Sequence, residues 1–439
     1  VDSDSLFKAI NSFEGDAELE VCVEERTNGS IIFERGGFKY AEAKTAQAVT
    51  VRCLVSGKMA TVRSNQFSEN VLETLLKRAY KLAGGAGSTD CQSHFSVRSV
   101  PEGVSPYSEE TAHADLGELS KRVLEAVKAV DKKQKVYSIS VEADYGVRRV
   151  AAANSNGVSG EWRTTYASVS AEVVSRQGDE QASGWKVAES NNVNELEFES
   201  VLSGATELAV SMLGAKSAPT FKGQLLMDPY ASCLLVDSLA EAMSGEEVFK
   251  GRSFLSGKKG SKVASELFVL REDNSMPKSP YSRGFDDELV PTSSKHLVQS
   301  GVLKTYLHSL YSAEKLGEEP TGNGFRDGAD ISVGTTNIVV EPGPNDVSSL
   351  LNKIEKGIYL IRTGDRPNMS TGDLSALVSM GYYVEKGEIL YPVRETMVGV
   401  NVLDLLKNVL AVGSDISALG RTVTPSLLFD EVSVSGGRA

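Results

Sequence analysis

The chain of 439 residues carries 46 Lys and Arg against 59 Asp and Glu, a formal net charge of −13. A surface that displaces counterions from polyphosphate needs a basic excess, so direct nucleic-acid binding is excluded on charge. With 41% hydrophobic residues the chain has core enough for two or three domains. No apolar run approaches the ~20 residues that span a bilayer, and the opening VDSDSLFKAI lacks the basic-then-apolar order of a secretion signal. The cysteines Cys22, Cys53, Cys91 and Cys233 are scattered, with no CxxC pair, which argues against a disulfide framework or zinc ribbon and for a reducing compartment. The expected location is cytoplasmic.

Leu19, Val21 and Val23 alternate with Glu18, Glu20 and Glu24, and Val49, Val51, Cys53 and Val55 alternate with Thr50 and Arg52. A period of two predicts half-buried strands, and Ser56-Gly57-Lys58 turns the second into a hairpin with Met59 to Arg63. From Ser68 the period becomes helical through Val71, Leu72, Leu75, Leu76, Ala79 and Tyr80, ending at Gly84-Gly85. The polar stretch Gly84 to Glu110 has little periodicity and is read as a surface excursion or a functional loop. A second amphipathic helix carries Leu116, Leu119, Val123, Val127 and Val130; strands follow at Val136 to Tyr145, Val147 to Ala153 and, past an Asn156-Gly157 turn, Thr164 to Val174. This order is a meander.

A helix from Glu197 to Leu213 leads into Gly214–Thr220, the most linker-like segment, which divides the chain into domains at 1–215 and 216–439. The second half is turn-rich. Glu341-Pro342-Gly343-Pro344 closes a strand of Ile338 to Val340, Asp346 caps a short helix ended by Gly357, and Glu385-Lys386-Gly387-Glu388 joins two strands. Strands joined mostly by turns predict an α+β protein of two domains: an antiparallel sheet with packed helices, then an antiparallel sheet or partly closed barrel.

Acid–base and metal chemistry have few candidates. Only His94, His113, His296 and His308 are present, without HExxH or HxH spacing, and each is read as a surface or satisfied core residue. GxSxG is absent, and Ser256-Gly257-Lys258-Lys259-Gly260 lacks P-loop order. Phe285-Asp286-Asp287-Glu288 could offer oxygens to a hard cation, though a flexible turn with solvated carboxylates is favoured. Asp237 and Glu241, four apart in an apolar helix, fall on one helical face.

Around that helix the chain resembles the TldD/PmbA family. The resemblance rests on Lys250-Gly251-Arg252-Ser253, Ser256 to Gly260 and Val263-Ala264-Ser265-Glu266, followed by Gly284 to Glu288 with Pro291-Thr292, and by Thr321-Gly322-Asn323. It continues through Thr371-Gly372-Asp373, Glu385 to Glu388, Tyr391-Pro392-Val393, Glu395, Asn401 and Gly413 to Asp415, covering most of residues 220 to 417. Catalytic TldD-type members carry HExxxH upstream of the first block; the corresponding positions here read Val236-Asp237-Ser238-Leu239-Ala240-Glu241. Both histidines are missing, and Gly420 to Leu428 has no cysteine where the family adds a zinc ligand.

The resemblance therefore implies the TldE (PmbA) branch: a non-catalytic subunit without a cofactor of its own, paired with a TldD-like protease that carries the zinc and helping to enclose unfolded or short peptides. Members also bear the description modulator of DNA gyrase; the charge favours an indirect effect, through proteolysis of a peptide effector. Val236, Asp237 and Glu241 stand as the degenerate catalytic positions, with no metal ligands expected. Backbone-to-backbone capture of an extended peptide makes the glycine turns at Thr321, Gly322, Asn323 and Gly324 and at Thr371, Gly372 and Asp373 the candidate substrate contacts. Two alternatives are an autonomous hydrolase using Asp237 and Glu241 with a hard cation, and a homodimeric peptide-binding module.

Overall fold

The computed structural model describes residues 2–87, 90–101, 104–131 and 135–437. The first half lays down β1 (Glu18–Glu34), β2 (Gly37–Val55), β3 (Lys58–Ser64), β4 (Val136–Asn154), β5 (Ser159–Gln177) and β6 (Glu180–Ser190). They form one antiparallel sheet in the order β3-β2-β1-β4-β5-β6. Leu19, Val21 and Val23 stand opposite Cys53, Val51 and Val49. On this face the helices Ser3–Asn11 and Glu69–Gly85 bury Leu6, Ile10, Leu72, Leu75 and Leu76. Farther along the same sheet, helices Leu116–Asp131 and Phe198–Ser211 bury Val123, Val127, Leu202 and Ala205 against Ile31, Ile139 and Val169. Ser68 caps its helix as the sequence implies, its hydroxyl accepting the Val71 N–H.

The second half adds β7 (Phe221–Met227), β8 (Leu270–Asp273), β9 (Lys295–Gln299), β10 (Val302–Leu303), β11 (Gly324–Asp327), β12 (Asp330–Val333) and β13 (Asn337–Val340). After these come β14 (Lys356–Arg362), β15 (Asp373–Leu377), β16 (Met380–Glu385), β17 (Glu388–Pro392) and β18 (Thr396–Asn401). The last are β19 (Val409–Val412), β20 (Ser417–Leu419), β21 (Thr422–Thr424) and β22 (Leu427–Gly436). One sheet runs β15-β18-β22-β7-β14-β16-β17, with β19 also on β22; a second runs β10-β9-β8-β13-β21-β20, and β11 pairs with β12. Most pairings are antiparallel; β7 with β14 and β13 with β21 are parallel. The protein is α+β, as expected. The Pro229–Ala242 helix is enclosed with Leu225, Leu360, Leu427 and Phe429 in the largest core.

Several local expectations change. The strands predicted at Val136–Tyr145 and Val147–Ala153 are one strand, and β1 and β2 extend far past their apolar ends as a ribbon whose residues 37–46 are exposed. Gly357 does not end a helix. The helix is Val347–Leu351, and Gly357 lies within β14, where a Cβ would stand 2.4 Å from the Gln224 carbonyl oxygen of β7. Glycine there allows two backbones to approach.

The largest correction concerns the acidic turn. Asp286, Asp287 and Glu288 are buried at 1%, 6% and 0% exposure, because the other face of the first sheet docks on them. Phe285 and Leu289 pack against Cys22, Val150, Ala152 and Trp162. Glu20 and Arg52, which point away from the helices, are buried in the same interface. Arg52 Nη1 lies 3.2 Å from both Glu20 Oε1 and Glu288 Oε1, and Arg326 Nη2 reaches Glu20 Oε1 at 3.0 Å. Asp286 accepts the N–H groups of Glu288, Val290 and Gly324 at 2.7–2.9 Å. Burial, then the Glu288 charge, raises the Asp286 carboxyl above the usual range. Burial alone would raise Asp287 too, but Arg283, Arg148 and Arg326 outweigh it and hold that carboxyl well below.

The polar stretch before Glu110 acts as a strap over this seam. Phe95 is fully buried beneath the Arg52 guanidinium, 5.2 Å from its ring centroid. Ser93 N–H donates to Glu314 Oε2 at 2.7 Å and Ser96 Oγ to the Leu289 carbonyl at 2.9 Å.

Breaking a buried ion network by removing one partner costs about 3–5 kcal/mol, whereas an apolar replacement of both partners is often neutral. Arg52→Met is therefore expected to destabilise the chain by that amount in urea unfolding, and Arg52→Met with Glu288→Leu to recover much of it. Equal losses in the single and double variants would contradict this account.

Candidate functional site

Asp228 caps the Pro229–Ala242 helix, its carboxylate accepting the Tyr230 N–H at 3.0 Å, with Pro229 in the first turn where no intrahelical donor is needed. Nearly every face of this helix is apolar and covered. Val236 is fully buried in the core, while Asp237 and Glu241 turn toward a cavity of about 490 Å³. Its walls also include Glu189 from β6, Thr335, Arg366 and Arg421.

The two carboxylates have separate partners. Asp237 accepts a hydrogen bond from Thr422 Oγ1 on β21. Burial raises its carboxyl above the usual range, against the lowering effects of the Thr422 bond, Arg366 and Arg421. Glu241 Oε2 meets Arg366 Nη1 at 3.1 Å, with both side chains half exposed, a pair of small energetic value. Cys233, one turn before Asp237, is buried, and desolvation followed by the Asp237 charge pushes its thiol far up, so it offers no thiolate.

Zinc calls for imidazole or thiolate ligands in tetrahedral array. Val236 has no lone pair, Asp237 and Glu241 are engaged, and two guanidiniums line the same space; these residues do not fit a zinc ion. Among the described residues, no group of three or more His, Cys, Asp or Glu side chains is placed to hold a metal.

The turn at Thr321–Gly324 points mainly inward. Thr321 Oγ1 accepts the His308 N–H at 2.7 Å and donates to Asn323 Oδ1 at 2.7 Å. Asn323 Nδ2 donates to Glu272 Oε1 and to the Gly334 carbonyl, at 2.9 and 2.8 Å. Gly322, at φ +74°, lies against the Pro291 backbone, and the Gly324 N–H serves Asp286. The turn thus braces the Gly334–Thr335 wall of the cavity. Thr371, Gly372 and Asp373 lie outside the cavity walls; they begin β15, an edge strand, and Asn401 Nδ2 holds the Thr371 carbonyl and Asp373 Oδ1 at 3.0 Å. Arg366 enters the cavity from the loop just before them.

Glu189, Arg366 and Arg421 were not singled out from sequence. Glu189 comes from the other half of the chain, and Arg421 lies in a Gly-Arg turn before the alternating Thr422-Val423-Thr424, the one local cue. His308 is buried as a core residue; desolvation lowers it to about 4 despite Glu318, and its Nε2 has no hydrogen-bond partner.

Family models divide the chain in three. The first domain of the PmbA/TldA metallopeptidases matches residues 19–83, their central domain 105–213, and their C-terminal domain 220–436. The architecture is that of a metallopeptidase scaffold. The chain belongs to the PmbA/TldD family. An uncharacterized protein of Methanocaldococcus jannaschii is 27% identical over 87% of this chain and 88% of its own length. The metalloprotease PmbA of Escherichia coli O157:H7 is 23% identical over 95% of this chain and 92% of its own. A Thermotoga maritima protein described as a proposed modulator of DNA gyrase superposes with TM-score 0.87 at 25% identity, covering 98% of this chain and 99% of the other. TldE of Thermococcus kodakarensis shares the fold, with TM-score 0.89 at 21% identity over 99% of both chains.

Two outcomes follow from the buried groups. Asp237→Asn keeps an acceptor for Thr422 while removing a charge that burial penalises. It is expected to raise the unfolding midpoint at pH 7, against the ~1 kcal/mol loss typical of point substitutions, with the gain shrinking as pH falls through the raised folded value and gone below the ordinary ~3.9 of an unfolded aspartate. His308 is neutral in the fold but protonates near its ordinary value when unfolded. Stability should therefore fall as pH drops from about 6.5 to about 4, by up to ~3 kcal/mol, and His308→Gln should flatten that part of a urea-midpoint profile.

Proposed function

We propose that this chain is the non-catalytic, TldE-like subunit of a TldD-type zinc metallopeptidase. Its partner carries the zinc, and this chain helps to enclose and bind unfolded or short peptides in the cytoplasm. The observation that carries the reading is the state of the degenerate motif: Val236 is sealed in the core, Asp237 is tied to Thr422, and Glu241 is paired with Arg366. A water-activating metal has no imidazole or thiolate ligand there, yet a cavity of about 490 Å³ opens beside the two carboxylates.

Walls of carboxylates and guanidiniums without zinc-type ligands suit binding better than bond cleavage. β20, whose Leu419 lines the cavity, pairs with β21 alone among the named strands, and β15, outside the cavity walls, with β18 alone. Edges of this kind can accept an extended peptide through backbone hydrogen bonds with little demand on its side chains. Thr371, Gly372 and Asp373 would act at the start of the β15 edge. Thr321, Gly322, Asn323 and Gly324 would act through the wall that they brace. Any influence on DNA gyrase would follow from proteolysis of a peptide effector, since a net charge of −13 disfavours contact with DNA.

Co-expression with a TldD-like chain bearing HExxxH is expected to yield a stable complex in which zinc resides in the partner, and peptidase activity appears only in the complex. Stoichiometric zinc or peptide cleavage by the isolated chain would overturn the reading.

A further inference from the structure

A second cavity of about 350 Å³ adjoins the first and shares Thr335 and Arg421 with it. It lies in the seam between the first sheet and the segments around Arg283, Phe325 and Arg421, and no carboxylate lines it. Four guanidiniums do: Arg26, Arg148, Arg283 and Arg421. Their anionic partners are too few. Glu24 alone serves both Arg26 and Arg148, and Asp287 serves Arg283 at 3.1 Å.

Arg421 forms no ion pair with a described residue. It donates to the Thr335 carbonyl at 3.0 Å, and its guanidinium lies 5.1 and 5.6 Å from the ring centroids of Phe325 and Tyr281. Its side chain is exposed and lines both cavities. Desolvation and the neighbouring Arg283 charge lower its hold on the proton, as expected for a cation lacking a counterion.

Trp162 and Arg283, at 7% and 3% exposure, line this cavity with Asn28, but their unpaired atoms Trp162 Nε1, Arg283 Nε and Asn28 Oδ1 are shielded from its open space. The chemistry of the site rests on the guanidiniums: four cations against two carboxylates suit an anion presenting several acceptor oxygens, as a carboxylate does. The space exceeds that needed for a carboxylate alone, and the faces of Trp162, Tyr281 and Phe325 would suit an attached residue.

We propose that this arginine-lined cavity holds the C-terminal carboxylate of a peptide whose body lies in the adjoining cleft. The proposal rests on the peptide-binding reading above and gives it a polarity. The negatively charged end of an extended chain enters among Arg148, Arg283 and Arg421, and the preceding residues pass Thr335 toward Asp237 and Glu241. A forked guanidinium suits the planar carboxylate better than an ammonium would.

The test titrates the full-length chain with an apolar hexapeptide as its free acid and as its C-terminal amide, using tryptophan fluorescence and calorimetry. The acid is expected to bind at least tenfold more tightly. Arg421→Gln should abolish the preference, bringing acid and amide to the same affinity, while Arg421→Lys keeps part of it. Equal binding of acid and amide, no binding of either at millimolar concentration, or an unaltered preference in Arg421→Gln would overturn the proposal. Acetate or inorganic phosphate binding as tightly as the peptide acid would also overturn it, by making the cavity a small-anion site. Zinc content and partner association are measured separately. A complex that forms normally without acid preference removes this proposal alone, and acid preference in a chain that carries its own zinc removes the subunit reading alone.

Discussion

The placing of the first sheet against the cleft depends on the buried ion network in which Arg52 bridges Glu20 of that sheet and Glu288 of the acidic turn. Such a network is a poor source of net stability, because desolvation consumes most of the Coulombic gain. Its effect is directional. Apolar docking of Phe285 and Leu289 on Trp162 and Val150 would tolerate sliding, whereas carboxylates and guanidiniums buried together leave unpaired charge in any other register. The backbone bonds from Glu288, Val290 and Gly324 to Asp286 fix the turn itself. The fixed seam sets Arg26 and Arg148 of the sheet opposite Arg283 and Arg421, and brings Glu189 to the first cavity.

Val236, Asp237 and Glu241 are each accommodated by different means on one helix. Valine costs nothing to bury, so Val236 joins the core. An aspartate in the next position still needs a donor, which Thr422 supplies. Glu241 reaches the opening, where a pair with Arg366 screens it at little cost. Each of the three side chains is consistent with its surroundings.

Elements with strong periodicity were legible in the sequence. The Ser68-capped helix, the helix from Leu116 and the hairpin at Lys386-Gly387 follow from local capping and turn chemistry. Other features were not, for definite physical reasons. A period of two in Leu19 to Glu24 indicates one apolar face but cannot show that Glu20, on the other face, is buried against a turn hundreds of residues away. The carboxylates of Asp286 to Glu288 have the composition of a solvated loop; the local Arg283 and backbone N–H groups serve Asp287 and Asp286, but Glu288 needs the distant Arg52 to make its burial tolerable. The candidate site was legible along its helix, where Asp237 and Glu241 share a face by spacing, and illegible across the cleft, because Glu189, Thr335, Arg366 and Arg421 meet only through tertiary structure.

The place of β22 bears on the order in which the molecule can be made. This strand, Leu427–Gly436, lies between β18 and β7 in the interior of its sheet, although β7 precedes it by some two hundred residues. During synthesis β7, β14, β16 and β17 can assemble on one side, and β15 and β18 on the other, but the two halves stay separate until β22 emerges to join them. The first sheet has no such dependence, since its strands are laid down largely beside their neighbours. Vectorial translation therefore yields a finished N-terminal half beside an open C-terminal one. Such an incomplete sheet exposes unpaired strand edges, and ribosome-bound chains would meet that hazard late in elongation.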